Sequence, residues 1–162
     1  MIKTLDNFLS KEQCDFFIQC YEDTANEKFT VTDLSYSFNG INLIKSGIDY
    51  EKIEPRLKAS YYMDRLRVQR ISEDFSVNGN FHMHLNNTSF TVFLNDNYTG
   101  GALEFESGEL FKPKVGQLIK FHDIDAHRVR PVSRGTRYTL VGLLDSNNLN
   151  GIIGYPREKT FI

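Results

Sequence analysis

The fold is decided by residues 127–140, which have the sequence HRVRPVSRGTRYTL. This stretch holds two short segments rich in β-branched and aromatic residues, and the pair Arg134-Gly135 between them is typical of a turn. The sequence therefore predicts strands over 127–132 and 136–145. Because side chains on a strand alternate between its two faces, Arg137 and Thr139 lie on the same face of the second strand.

The same alternation occurs upstream over residues 79–86, GNFHMHLN. It places His82, His84 and Asn86 on one face of a strand. Imidazoles and an amide that face an interior need hydrogen-bond partners or a metal. A pair of ligands from one strand with a lone distal histidine, here His127, suits a non-haem iron site. Such a site binds one face of Fe(II) and leaves the other positions for co-substrate and dioxygen.

The rest of the chain predicts one domain over residues 1–162, with helices before strands. Ser10 is typical of a helix N-cap with Gln13 as its capping-box partner, which predicts a helix over 10–25 after a short strand within 1–9. Residues 26–48 are expected to be turn-rich, with Asn39-Gly40 as one turn, and a second helix is expected over 49–64. Further strands are expected near 65–72, 80–86, 88–95, 102–106, 109–112 and 117–121.

This order predicts an α+β fold whose β core is a closed or double-sheet roll. The helical N-terminal part covers about 1–64, the β core about 65–145 and a tail about 146–162. The net charge of -2 gives no reason to expect binding to nucleic acid, and no apolar stretch is long enough for a membrane span. The N-terminus has no apolar signal core, so we expect a cytoplasmic protein. The oligomeric state is left open.

Four motifs in order resemble the Fe(II)/2-oxoglutarate-dependent oxygenases of the prolyl 4-hydroxylase-like type. Residues 79–86 resemble the family pattern Gly-x-aromatic-x-x-His-x-Asp. A Leu-Asn pair followed by aromatic-x-Gly-Gly-x-Leu-x-Phe stands at 94–105. A Pro-x-x-Gly-x-Leu-x-x-Phe segment stands at 113–121, and the closing stretch that starts at His127 covers 127–140. The resemblance implies a double-stranded β-helix, a jelly-roll or cupin-like core with N-terminal helices.

The resemblance also implies a role for single residues. His84 would be the proximal iron ligand and His127 the distal one. Arg137 would bind the far carboxylate of 2-oxoglutarate, with help from the Thr139 hydroxyl. The cofactor would be Fe(II), and the co-substrates 2-oxoglutarate and O2.

Two departures from the family pattern bear on activity. Asn86 stands where the family has a metal-binding Asp, and three explanations are open. Asn86 ligates through its amide oxygen, or it leaves a two-histidine site of the kind found in related halogenases. In the third, the domain has kept binding and lost catalysis. A three-histidine site of cupin type, with His82 as a ligand, is a further alternative, and Asp125 is a reserve carboxylate. The tyrosine that related enzymes often place before the Leu-Asn pair is Phe93 here, and another is Ile71.

The predicted function is that of a dioxygenase, an enzyme that hydroxylates a C–H bond. The resemblance suggests a prolyl residue, although the partner could be a protein, a peptide or a small molecule. The non-enzymatic alternative is an impaired oxygenase fold that acts as a binding module.

Overall fold

The computed structural model describes residues 2–23, 29–33, 36–42, 63–73, 79–83, 87–122 and 124–145. These contain one helix, α1 (Lys11–Asp23), and twelve strands. The strands are β1 (Lys3–Leu5), β2 (Phe29–Asp33), β3 (Tyr36–Asn42), β4 (Met63–Ser72), β5 (Asn87–Phe93), β6 (Thr99–Gly100), β7 (Leu103–Phe105), β8 (Leu110–Phe111), β9 (Leu118–His122), β10 (His127–Val129), β11 (Val132–Arg134) and β12 (Thr136–Asp145). The helix is too short and too polar to span a membrane, and it is the only helix among these residues.

Seven strands form one antiparallel sheet in the order β1-β9-β5-β12-β4-β3-β2. Its centre is β12, which pairs with β5 on one side and with β4 on the other, so that Thr139 lies opposite both Phe93 and Gln69. As a central strand, β12 has backbone hydrogen-bond partners on both sides, which fixes the positions of its residues.

Two smaller sheets have the orders β10-β7-β8 and β11-β6. Residues 79–83 approach the first through a bridge between His82 and His127. Along the chain, β4, β5, β9 and β12 belong to the large sheet, whereas residues 79–83, β6–β8 and β10–β11 lie between them in sequence and pair in the smaller sheets. This alternation is the winding of a jelly roll, so the predicted double-stranded β-helix core is confirmed.

The two faces of the large sheet differ in chemistry. On β5, Phe90 and Val92 face the core under α1, whereas Ser89, Thr91 and Phe93 are buried on the opposite face. On β12, Leu140 belongs to the helix-side core, and the buried Arg137 and Thr139 face the other way. A second apolar cluster lies on that side, made of Phe93, Leu103, Phe105, Ile119 and Phe121. The interior of the roll therefore combines apolar side chains with a few buried polar ones.

Helix α1 begins as the sequence predicts. The Ser10 backbone N–H donates to Gln13 Oε1 at 2.8 Å, and the Gln13 N–H donates to Ser10 Oγ at 3.2 Å, which is a capping box. Its buried side chains are Cys14, Phe17 and Tyr21. Both cysteines are free thiols, and burial raises the pKa of Cys14 to about 11.

Four expectations differ from the structure. In the described part of the strand predicted over 80–86, His82 forms an isolated bridge, and Asn80, Phe81 and Met83 are not in a strand. Residues 29–33 and 36–42 form two strands, and Asn39-Gly40 lies inside β3 instead of a turn, because Gly40 pairs with both Phe29 and Gln69. The second predicted helix, 49–64, lies outside the described residues except for its last two, which begin strand β4. The predicted strand 127–132 is two strands, since Pro131 has no N–H to continue the ladder. The tail from 146 also lies outside the described residues.

Candidate active site

The backbones of His82 and His127 form a bridge. Each N–H donates to the other residue's carbonyl, at 2.9 Å from His82 N and 3.0 Å from His127 N. Directly opposed residues of an antiparallel pair project to the same face, and the two imidazole centroids are 4.5 Å apart. The segment that contains the upstream histidines thus lies beside the distal histidine at His82.

The ring of His127 is held in one orientation. Its Nδ1 lies 2.8 Å from the Asp125 carbonyl oxygen, which can only accept, so Nδ1 carries a proton and the lone pair of the neutral ring is on Nε2. Aromatic rings pack against the imidazole, with centroids 4.5 Å away for Phe121 and 5.8 Å away for Phe105. A buried histidine whose Nδ1 donates to a backbone carbonyl is a common arrangement for a metal ligand.

Arg128 ties the upstream segment to β10. Its guanidinium donates to the Gly79 carbonyl at 3.1 Å and lies 4.4 Å from the centroid of the Phe81 ring. Glu104 accepts from Arg128 at 2.6 Å and from Arg130 at 2.8 Å, and these hydrogen bonds lower the pKa of Glu104 to about 2. This ion cluster therefore holds residues 79–82 beside His127.

Arg137 is a fully buried cation whose hydrogen-bond partners are neutral. Its Nε donates to the Gly101 carbonyl at 3.0 Å and an Nη donates to Thr139 Oγ1 at 3.1 Å. The Phe93 ring centroid lies 5.6 Å from Cζ. Burial lowers the pKa of Arg137. Within the described residues no carboxylate pairs with it, and a buried charge of this kind is stabilised by an anion.

Tyr98 also belongs to this pocket, although the sequence did not identify it as a site residue. A Cβ atom built on Gly101 would lie 2.8 Å from Tyr98 Cε2 and 2.9 Å from Arg137 Cδ. Gly101, with φ +64°, therefore leaves the space in which the tyrosine ring and the arginine side chain approach each other. The clue in the sequence is the aromatic-x-Gly-Gly motif, Tyr98-Thr99-Gly100-Gly101, which by itself assigns the tyrosine no role.

Two of the three expected metal ligands, His84 and Asn86, lie outside the described residues, so their placement stays a prediction. Over the described part of the chain, no group of three or more His, Cys, Asp or Glu is arranged to hold a metal ion. The Asp125 carboxylate accepts from the His122 N–H at 3.2 Å, and the Asp125 backbone carbonyl contacts the His127 ring. Asp125 thus lies in the loop before β10, where its backbone carbonyl orients the His127 ring.

The residues present fit the groups that the resemblance implies. His127 offers one imidazole in the tautomer that a metal needs. Arg137, Thr139 and the buried hydroxyl of Tyr98 offer one cation and two hydroxyls to a carboxylate. The donor set is thus suited to a metal at one end and a dicarboxylic acid at the other.

Comparison with known proteins supports this interpretation. Residues 68–144 match the model of the 2OG-Fe(II) oxygenase superfamily. A PKHD-type hydroxylase of Synechococcus sp. is 38% identical over 79 residues, which cover 46% of this chain and 33% of that protein. The chain thus spans about a third of the length of that curated relative.

Two solved structures share the fold. The viral collagen prolyl hydroxylase of Paramecium bursaria Chlorella virus 1, in complex with 2OG, has a TM-score of 0.64 at 16% identity, and the alignment covers 88% of this chain and 94% of that one. A prolyl-4-hydroxylase of Pseudomonas putida has a TM-score of 0.60 at 14% identity, with 89% and 91% covered. The resemblance to prolyl 4-hydroxylase-like oxygenases is confirmed, and Fe(II), 2-oxoglutarate and O2 are the cofactor and co-substrates of that superfamily.

Proposed function

We propose that this chain, whose β core is that of a 2OG-Fe(II) oxygenase, is a dioxygenase that hydroxylates a C–H bond of a peptide. Bound Fe(II) would activate O2, of which one oxygen atom would enter the C–H bond and the other would enter 2-oxoglutarate, which would leave as succinate and CO2. The chain's own residues bind and orient these groups and the substrate.

The observation that carries the proposal is Arg137. A guanidinium in the interior of a β roll is costly unless its charge is balanced. Its partners Gly101 O and Thr139 Oγ1 are neutral, so an anionic ligand is the group that would balance it. A planar fork binds a carboxylate through two parallel hydrogen bonds, and we assign it the far carboxylate of 2-oxoglutarate.

His127 is the metal ligand that we assign from the described residues. The Asp125 carbonyl fixes its tautomer, and the rings of Phe105 and Phe121 limit its rotation. His84 is proposed as the second ligand and Asn86 as the third, through its amide oxygen. An amide lacks the negative charge of a carboxylate, so we expect weaker Fe(II) binding than an Asp would give.

A prolyl side chain is the proposed substrate. Its support is that proteins sharing the fold include a viral collagen prolyl hydroxylase and a bacterial prolyl-4-hydroxylase. Met83 and Ile124 have exposed side chains and lie close in sequence to His82 and His127, respectively. Apolar groups at that place suit an uncharged pyrrolidine ring.

A proline-rich peptide incubated with the protein, Fe(II), 2-oxoglutarate and O2 tests the proposal. We expect succinate and a peptide with one added oxygen atom in equal amounts, measured by NMR and mass spectrometry. His127→Ala should reduce both to background, whereas His122→Ala, the same change at an exposed histidine five residues earlier, should leave them unchanged. Succinate without peptide oxidation would contradict the prolyl assignment. Binding of 2-oxoglutarate without succinate would favour the binding-module alternative that Asn86 raises.

The second candidate is a metal site with three histidines, which the contact between His82 and His127 favours. Imidazoles 4.5 Å apart on one face can reach a shared ion, and histidine is the commonest ligand for several metals. Such a site would function without 2-oxoglutarate. It would be identified by metal-dependent activity that survives Arg137→Ala.

A further inference from the structure

The positions at which related enzymes often place a tyrosine near the far carboxylate carry no hydroxyl in this chain. Phe93 and Ile71 are both fully buried. The Phe93 ring contacts the Arg137 guanidinium through its face and adds no hydrogen-bond donor. The pocket thus keeps the arginine and lacks a phenol at these two positions.

A phenol reaches the same arginine from another element. Tyr98 stands just before β6, and its ring and the Arg137 side chain flank Gly101, where a Cβ atom would come within 3.0 Å of both. Gly135 gives the tyrosine similar room from the other side, because a Cβ there would lie 3.3 Å from Tyr98 Cβ. Two glycines with positive φ therefore define the place that Tyr98 occupies.

The Tyr98 hydroxyl is buried, and none of the described residues accepts its hydrogen, although the Arg137 guanidinium interacts with its oxygen. Arg137, its charged neighbour, has only N–H donors and cannot accept the phenolic hydrogen. Burial raises the pKa of Tyr98 to about 12, although the positive charge of Arg137 acts in the opposite direction. The hydroxyl is thus protonated at neutral pH and requires an acceptor, which a carboxylate supplies.

We infer that Tyr98 is a further 2-oxoglutarate-binding residue, which donates its phenolic hydrogen to the far carboxylate that Arg137 binds. This inference rests on the proposed function. Tyr98 replaces, from the Tyr98-Thr99-Gly100-Gly101 turn, the hydroxyl that is missing at Phe93. It makes the pocket selective for a 2-oxo acid with a second carboxylate, because an acid without one leaves both the phenol and the guanidinium without an acceptor.

The test measures the Kd of two 2-oxo acids for the anaerobic Fe(II) protein, 2-oxoglutarate and 2-oxopentanoate, which lacks the far carboxylate. Tyr98→Phe keeps the ring and removes the hydroxyl. We expect it to raise the Kd of 2-oxoglutarate about tenfold and to leave the Kd of 2-oxopentanoate unchanged, since a hydrogen bond to a charged group is lost only with the first acid. Tyr98→Phe/Phe93→Tyr should recover part of the affinity by returning a hydroxyl to the pocket.

Tyr138→Phe is the matched control. It removes a hydroxyl from β12 that bonds to Glu22 and Arg70 on the helix side of the sheet, and 2-oxoglutarate binding should not change. Equal weakening of both acids by Tyr98→Phe would show a packing role and overturn the inference. Unchanged 2-oxoglutarate binding in Tyr98→Phe, together with weakened binding in Arg137→Ala, would also overturn the inference. That result would leave the proposed function intact. Unchanged binding in both variants, or none in the wild type, would overturn the proposed function as well.

Discussion

His82 and His127 are joined by two backbone hydrogen bonds, and their imidazole rings lie 4.5 Å apart on one face of the pair. The bridge fixes where the upstream histidine segment meets the distal histidine. In the strand that the sequence predicts over 80–86, the residue two after His82 is expected on the same face. That residue is His84, the proposed second ligand.

Single substitutions of His82 and His127 distinguish a histidine that ligates the metal from one that only lies near it. We expect His127→Ala to lower Fe(II) affinity more than about 100-fold and His82→Ala about tenfold at most, because a residue that only supports the ligands has the smaller effect. Competitive titration against a metal indicator gives both values. A loss in His82→Ala as large as that in His127→Ala would contradict the assignment of His84 and favour the three-histidine site.

Replacement of Gly101, which lies between Tyr98 and Arg137, should destabilise the fold. Gly101→Ala combines a positive φ of +64° with contacts of 2.8 and 2.9 Å to Tyr98 and Arg137. We expect the free energy of unfolding to fall by about 3 kcal/mol, the sum of left-handed backbone strain and overpacking. Urea unfolding followed by circular dichroism measures this change.

Gly108→Ala is the control for the backbone effect. Gly108 also has a positive φ, +105°, but a Cβ there would meet no atom within 4 Å. We expect a loss of about 1 kcal/mol from strain alone. Equal losses in the two variants would show that the close approach of Tyr98 and Arg137 at Gly101 has no energetic weight.

Glu104 should make stability depend on pH in the acid range. Its pKa is lowered from 4.5 to about 2 by Arg130 and Arg128, so the folded state favours the ionised form. Its contribution is fully present above pH 4.5 and is lost as the pH falls toward 2. We expect Glu104→Gln to lower Tm at pH 7 and to flatten the fall of Tm below pH 4.5. Glu106→Gln, at an exposed neighbour, should keep the wild-type profile, and a wild-type profile in Glu104→Gln would refute this role of the ion cluster.

The sequence predicted the parts of the fold that local pattern determines. Alternating polar and apolar residues located β12, and Ser10 with Gln13 located the start of α1. The strands β2 and β3 were missed because Asn39-Gly40 is typical of a turn, whereas pairing of Gly40 with Phe29 and Gln69 on its two sides determines its structure.

The sequence predicted those parts of the site in which residues of given types recur at a fixed spacing on one strand. Arg137 and Thr139 share a face because they are two apart on one strand, and they do form a hydrogen bond. Tyr98 could not be found in this way. Its nearness to Arg137 depends on the path of a turn with two positive-φ glycines, which brings together residues that are far apart in the sequence.

The central claim is that Arg137 binds 2-oxoglutarate at a metal site within this β core. Its most direct test is anaerobic titration of Fe(II) and 2-oxoglutarate into the protein, observed through the visible charge-transfer band of the chelate. We expect the band in the wild type and in Arg134→Ala, an exposed arginine three residues earlier. Arg137→Ala should lower the affinity for 2-oxoglutarate about 100-fold, because a buried charge-assisted contact is lost. A band of unchanged affinity in Arg137→Ala, or none in the wild type, would contradict the account.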